Sequence, residues 1–343
     1  MNIRSFLKGK MPINRKTYLN IRMKTLGQSR KQLAKRIAQA EQEAAELRKK
    51  VSRFEERFNV KMSAIERSIE NVTPAEKYNE MLKCWYVNKM EKGIDIDNPK
   101  TVNEKTQWLK LYDSNENKTR LADKVLAREY FREKYGEEYL VPIVGVWDSF
   151  EKIDFEELPK QFALKVNNGS ARNIIVKDKT SVDCFEMEKL VGVWMSTNFA
   201  FQNGYELHYA NIEPKIIVEK YIQLDYEYQF WCFNGKPDFV AVIDRLHGED
   251  NRASYDMDWN RLEFVSKLPI MNEEIEKPPF FDVMKEIADS ECKNFALVRI
   301  DFMGSGDKFF FSEFTFTPAS GISRWHPEEY DAILGNKIKL PLV

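Results

Sequence analysis

Residues 296–321 read ALVRIDFMGSGDKFFFSEFTFTPASG, two runs rich in aromatic and β-branched residues joined by a glycine-containing connection. That pattern predicts a β-hairpin. Side chains alternate faces along a strand, so Arg299 and Asp301 point one way while Val298, Ile300 and Phe302 point the other. On the second strand Glu313 and Thr315 share a face opposite Phe314 and Phe316. If odd residues pair with odd, all four polar groups converge; a five-residue connection, Gly304 to Lys308, is the register expected to do this. Burying a carboxylate costs several kcal/mol unless it is compensated. Two carboxylates and an arginine on one sheet suit a divalent cation carrying phosphate. Magnesium takes few carboxylates and fills its shell with phosphate oxygens and water. The competing explanation is a structural salt bridge from Arg299 to Asp301 or to Glu313.

Two further segments carry chemistry. In LPKQFALKVNNGSARNIIVKD a strand delivers Lys165 to a loop, Asn167 to Asn173, that holds Gly169 and small neighbours. A lysine ahead of free backbone amides is a phosphate-binding arrangement, although a solvated lysine has the same local pattern. It is not a Walker motif, because GxxxxGK[ST] is absent and a strand follows. In PKIIVEKYIQLDYEYQFWCFNG an apolar strand ends at Glu219, Lys220, Tyr221 and Ile222, and Glu227 opens the next strand. Adenine needs an apolar slot with a donor–acceptor pair, and ribose needs a nearby acid. An edge strand with alternating charges would also read this way.

The rest of the chain sets the frame. Residues 28–72 contain no Gly or Pro, and Leu33, Ile37, Ala40, Ala44, Leu47, Val51, Phe54 and Phe58 form a heptad seam. A stutter before Met62, Ile65 and Ile69 should locally unwind a supercoil. The seam predicts a coiled-coil helix that buries its apolar face by self-association or by packing on the body of the protein, with self-association favoured. No acid precedes Glu41, while Arg4, Lys8, Lys10, Arg15 and Lys16 begin a basic arm suited to anionic lipid, an acidic polymer or nucleic acid, a solvated flexible arm being the rival reading. Thr73-Pro74 starts another helix ending near Gly93; helices are expected at 102–112, 118–135, 183–203 and 281–294, interleaved with strands. With 43% hydrophobic residues the body can bury a core, and its mixture of elements argues α+β. The formal net charge of −1 gives no bulk case for nucleic acid. Cys84, Cys184, Cys232 and Cys292 lack ligand spacing and are expected to be reduced core thiols. No apolar run is long enough to span a bilayer, and there is no signal-peptide pattern.

Taken in order, NPKTVNEKTQWLKLYD, TRLADKVLAREY, LPKQFALKVNNGSARNIIVKD, IIVEKYI, YQFWCFNGKPDF, VRIDF and SEFTFTPASG resemble the ATP-grasp superfamily, in particular the TupA-like ATP-grasp proteins. That family is associated with bacterial teichuronopeptide and surface-polysaccharide synthesis. The resemblance runs from about Asn98 to Gly321. It implies an α+β ATP-grasp fold, two mixed α/β subdomains clasping ATP, preceded by the long coiled-coil helix. The implied divisions are a basic arm (1–27), the coiled coil (28–72), a helical part of the body (73–160), a small lid subdomain (161–222) and a large subdomain with the metal site (223–343).

The resemblance also implies roles. Lys124 and Lys165 would hold ATP phosphates, and the loop with Asn168, Gly169, Ser170 and Asn173 would be mobile and cover them. Glu219 would bind the adenine amino group, Lys220 and Ile222 would offer backbone contacts, and Glu227 would bind ribose. Asp301 and Glu313 would hold Mg²⁺, with Thr315 standing where asparagine is common. Arg299 would stabilise the transferred phosphoryl group. Arg245 is placed near the same sheet for an acyl-phosphate, with an ion pair to Asp244 as its rival. Asn168, Ala171 and Gln229 depart from the expected histidine, glycine and lysine.

The implied activity is ATP-dependent ligation of a carboxylate and an amine through an acyl-phosphate, releasing ADP and phosphate. The expected substrates are uronic acid carboxyls of an acidic capsular or cell-wall polysaccharide, and an amino acid or small amine. A glycosyltransferase using a sugar nucleotide, with Asp301 and Glu313 as its metal site, is the alternative; a DxD motif would favour it, and DID at Asp95 to Asp97 stands in an unconvincing Gly-Asn-Pro context. A non-catalytic scaffold is a third reading. With His208, His247 and His326 as its only histidines, the chain has little material for a triad. His208 is a substrate-side candidate from its ELHY segment, with a buried, satisfied histidine as the favoured rival. The expected location is cytoplasmic, as a homo-oligomer, with the basic arm on the inner membrane face and no nucleic-acid partner.

Overall fold

The computed structural model describes residues 74–247 and 250–342, together with helical backbone at positions 24, 27, 31, 35–39, 42 and 47. The basic arm and most of the heptad segment therefore lie outside the described residues. The chain divides into two units, 1–65 and 66–343, and all elements named below belong to the second.

After a single 3₁₀ turn, α1 runs Tyr78–Met90 and stops at Glu91 in the left-handed region (φ 57°). α2 (Val102–Tyr112) begins at a capping box: the Thr101 side chain accepts from the Glu104 amide, and Glu104 reaches back to the Thr101 amide at 3.0 Å. The single helix expected over 118–135 is two, α3 (Glu116–Ala122) and α4 (Lys124–Tyr135). Asp123 interrupts them because its extended backbone and carboxylate cap the next helix, accepting from the Val125 amide at 2.8 Å. The break places Lys124 at a helix start.

A four-stranded antiparallel sheet follows, in the order β1 (Ile143–Trp147), β4 (Ile216–Lys220), β2 (Phe162–Val166), β3 (Asn173–Val176). It starts at Ile143, earlier than the lid boundary expected at 161. α5 (Cys184–Ser196), shorter than the expected 183–203, packs Met187 and Val191 against Phe162, Leu164 and Val218.

The second sheet has six antiparallel strands in the order β10-β9-β5-β6-β7-β8, with β5 (Tyr226–Phe233), β6 (Lys236–Asp244), β7 (Arg252–Asp256), β8 (Arg261–Leu262), β9 (Leu297–Ser305) and β10 (Lys308–Thr315). α6 (Phe281–Glu291) covers one face, where Phe230, Val240, Ile300, Phe302, Phe311 and Phe314 form the main core. Trp231, Phe239, Phe264 and Trp325 close one end of the opposite face, near α7 (Tyr330–Gly335). The remainder of that face carries Glu227, Gln229, Asp301, Glu313, Arg252 and Ser254 interspersed with Met303, Ala241 and Ile243.

The hairpin corrects the expected register. Its turn is the two residues Gly306 and Asp307, so Ser305 pairs with Lys308 and Phe302 with Phe311, odd with even. A bulge at Ser312 then resets the ladder, pairing Asp301 with Glu313 and Arg299 with Thr315. Without it Glu313 would sit opposite Ile300, on the core face. The bulge is why Phe309, Phe311, Phe314 and Phe316 all reach the core although their numbers differ in parity.

All four cysteines are free thiols. Cys232 and Cys292 are buried, but Cys84 and Cys184 are exposed, against the expectation of core positions for all. Among the described residues no helix is long and apolar enough to cross a membrane.

Candidate active site

A cleft of about 400 Å³ opens between the two sheets. Val141, Ala163, Ile175, Ile222, Leu224 and Met303 supply apolar walls, while Lys124, Lys165, Asn173, Glu219, Lys220, Glu227, Arg245 and Glu313 supply polar ones. The Lys165–Glu219 ion pair follows from the strand pairing. Ala163 lies opposite Glu219, so Lys165, two residues further on β2, shares its face. The Lys165 Nζ sits 2.6 Å from Glu219 Oε2, and Arg128 Nη1 lies 2.9 Å from Oε1. Both oxygens of the buried Glu219 are thus engaged.

Arg128 is a residue the sequence reading missed. It also donates to the Val141 carbonyl, and burial lowers its pKa while Glu219 opposes that shift. One signal was available: Lys124 and Arg128 are four apart on α4, hence on one face.

Lys124 bridges the two sheets. Its ammonium donates to the Gly169 carbonyl at 2.6 Å and lies 3.1 Å from Glu313. Glu227 accepts from Arg245 at 2.6 Å and from Gln229 at 2.7 Å. Arg245 also pairs with Asp250, while Asp244 bonds His247 at 2.6 Å, so the Arg245–Asp244 alternative does not form.

Arg299 grips Asp301 with both arms, Nε to Oδ1 at 2.8 Å and Nη2 to Oδ2 at 2.6 Å, and touches Thr315 Oγ1 at 3.3 Å. This bidentate pair is the structural salt bridge considered from sequence, and it coexists with the convergence of Asp301 and Glu313. Asp301 is 1% exposed, and burial pushes its carboxyl up to about 7 although Arg299 opposes this. For Glu313 burial also favours the neutral acid, but Lys124, Arg299 and Lys165 outweigh it and hold the carboxyl below its ordinary value. Asp301 and Glu313 are directly opposite one another in the ladder. Among the described residues no three of His, Cys, Asp and Glu gather as a complete metal cage. Two hard oxygen donors with cations at hand fit Mg²⁺ that arrives with phosphate and water ligands.

Hydrogen bonds hold both ends of the Asn167 to Asn173 loop. Asn167 accepts from the Lys215 amide at 2.6 Å and donates to the Glu213 carbonyl at 2.9 Å. Arg172, 5% exposed, donates to Asn168 Oδ1, the Trp194 carbonyl and Gln202 Oε1, each at 2.8 Å, with its guanidinium 4.9 Å over the Phe199 ring. Asn168 is therefore turned into the protein, and Ser170 is exposed. Asn168, Gly169 and Ser170 do not line the cleft, whereas Ala171, Arg172 and Asn173 do. Gly169 packs so closely that a Cβ would lie 2.6 Å from Phe199.

Arg299, Asp301 and Thr315 stand beside the cleft and are not among its lining residues. His208 is buried against Tyr209 and Phe316, away from it; burial, with Lys118 and Lys110 adding to it, lowers its pKa to about 3. Asp95 is exposed and accepts from the amides of Asp97 and Asn98, a turn-forming role.

A family model described as TupA-like ATPgrasp matches residues 104–339. The chain belongs to the TupA-like ATP-grasp family. Its fold is accordingly an ATP-grasp fold of the α+β class. Among solved structures this TupA-like protein is similar to D-alanine–D-alanine ligase from Bacillus anthracis complexed with ATP, at 18% identity over 64% of this chain and 62% of that one, with TM-score 0.38. It is also similar to an L-amino acid ligase from Bacillus licheniformis, at 12% identity over 64% and 48% of the two chains, TM-score 0.39. A third is the ATP-grasp ligase PsnB complexed with a minimal precursor, at 9% identity over 59% and 54%, TM-score 0.34. The chain spans less than two thirds of the length of each of these three. No curated protein matches it.

Proposed function

We propose that this TupA-like protein is an ATP-dependent carboxylate–amine ligase that joins an amino acid or small amine to uronic acid carboxyls of a bacterial surface polysaccharide. The observation that carries the reading is the pairing of Asp301 with Glu313 across the bulged hairpin, next to a cleft where Lys124 ties Glu313 to the Lys165 loop. The sugar-acid part rests on the family association alone.

In this account Lys165 and Lys124 leave Glu219 and Glu313 to grip the phosphates, which suits cations whose partners are one hydrogen bond away. Glu219 and the backbone of Lys220 to Ile222 then face the adenine, and Glu227 the ribose. Asp301 and Glu313 would hold magnesium, which would supply neutralisation of phosphate charge. Arg299 is positioned to stabilise the phosphoryl group in transfer. A substrate carboxylate oxygen attacks the γ-phosphorus and ADP leaves. The amine then attacks the acyl carbon, losing a proton, and orthophosphate departs with the carboxylate oxygen.

That oxygen is the test. With ¹⁸O in the carboxylate of an oligouronate, plus ATP, Mg²⁺ and mixed amino acids, one ¹⁸O should appear in the released phosphate. Release of AMP and pyrophosphate, or phosphate free of label, would reject the mechanism. The basic arm and heptad segment would keep catalytic units close to anionic polymer or membrane. Removing residues 1–72 should then reduce activity on polymer more than on a short oligosaccharide.

A further inference from the structure

Beyond the cleft, the same face of the second sheet carries a row of directly paired residues, Glu313, Asp301, Gln229, Ala241 and Ser254, on β10, β9, β5, β6 and β7. Neighbouring strands lie roughly 4.8 Å apart, so Ser254 stands roughly 14 Å from Asp301 along that row. The Ser254 hydroxyl oxygen is buried and bonded by nothing, the residue being 1% exposed. Arg252 lies two positions earlier on β7, hence on the same face, and its buried Nε also has no acceptor. It pairs with Ile243, which pairs with Glu227 on β5, and it feels the charges of Glu227, Arg245 and Arg299.

Two indoles continue the pattern. Trp231 pairs with Arg299 on β9, and Trp325 meets it edge-on with ring centroids 5.2 Å apart. Both indole N–H groups are buried and unpartnered. Ala241 leaves the row without a large side chain between Gln229 and Ser254.

The chemistry of these atoms is one-sided. A guanidinium N–H and two indole N–H groups can only donate, and serine can donate as well. The acids near Arg252 are already engaged, Glu227 by Arg245 and Gln229, and Asp250 by Arg245. Buried donors left unmade are costly and uncommon, and a group of them at a functional site calls for a guest. A cation would be repelled; an anionic, oxygen-rich molecule would satisfy every atom.

We infer that Arg252, Ser254, Trp231 and Trp325 form the subsite for the acid substrate, receiving the carboxylate and hydroxyl oxygens of a sugar acid on the side of Asp301 remote from the adenine. The inference rests on the ligase reading and adds to it the residues that select the acid. Arg252 would hold the single carboxylate of the sugar acid on the side that faces Arg299, and Ser254 and the indoles would take its hydroxyl oxygens.

The whole chain labelled with ¹⁵N at its tryptophan indoles tests this. D-glucuronate or D-galacturonate should move two indole N–H signals, identified through Trp231→Phe and Trp325→Phe, and D-glucose should move neither. Arg252→Gln should weaken that response about ten- to a hundredfold, the loss of one charged hydrogen bond. Ser254→Ala gives a second, milder variant should Arg252→Gln fold poorly. If neither acid moves those signals, or both variants respond with unchanged affinity, the donors hold ordered water only and the subsite is rejected. Binding of ATP·Mg²⁺ by the unaltered chain is measured alongside. Its absence would strike the ligase reading, whereas its presence with silent indoles would strike only the subsite.

Discussion

Replacing Arg172 by alanine should release the loop that Lys124 and Lys165 flank. The guanidinium makes bonds of 2.8 Å to Asn168, Trp194 and Gln202, and stacks on Phe199. A hydrogen bond to a charged group contributes about 1.5–3 kcal/mol, and a cation over a ring about 0.5–2 kcal/mol. These terms are not additive, and the freed partners recover water if the loop opens, so about 3 kcal/mol is a reasonable net loss. That loss should fall mostly on the loop, because Asn168 and Gln202 belong to segments outside the main sheets. A nucleotide that needs the closed loop would then bind up to about a hundredfold more weakly. Arg172→Lys keeps the charge without the planar fork and should fall in between. Displacement of a fluorescent ATP analogue gives the affinity, and limited proteolysis reports whether cleavage shifts to residues 167–172. Unchanged affinity in Arg172→Ala, with no new cleavage there, would show that the loop does not depend on this anchor.

Two other changes follow from close packing and burial. Gly169→Ala drives a methyl to 2.6 Å from the buried Phe199 ring, so it should lower stability by about 1–3 kcal/mol and weaken ATP binding; an unaltered thermal melt would contradict the observed contact. Lys110 is wholly buried, donates to the Asn203 carbonyl at 2.8 Å, and has a pKa lowered to about 7 by burial, with Glu206 opposing. Between that value and the ordinary lysine range the unfolded chain binds more protons than the folded one, so this lysine makes stability rise with pH. Lys110→Met should remove that slope, at most about 1.4 kcal/mol per pH unit, in urea melts at pH 7 and 9; parallel changes in both proteins would refute it.

Local signals were legible and long-range ones were not. Thr101 and Glu104 mark the start of α2 because a capping box is written within four residues. The shared face of Glu313 and Thr315 follows from alternation on one side of Ser312. Across Ser312 the alternation changes phase, and a bulge leaves no mark in composition, so the route to the Asp301–Glu313 pairing was misread. Asp123 was hidden because helical periodicity continues on both sides of it. β1, β7 and β8 lack strong apolar alternation, β1 and β8 being half-exposed, and none was anticipated. Arg128 looks like any arginine on a surface helix until Glu219, 91 positions away, is brought beside it. The same holds for Arg172, whose partners Trp194 and Gln202 lie on later segments.

The central claim is that the paired acids of the hairpin serve a magnesium-bound nucleotide. Calorimetric titration of ATP into the whole chain, with and without Mg²⁺, tests it most directly when repeated on Glu313→Gln. The account predicts one nucleotide bound per chain, dependent on Mg²⁺, and abolished in the variant while its circular dichroism spectrum is unchanged. No binding heat with the folded, unaltered chain, or equal binding by Glu313→Gln, would contradict it.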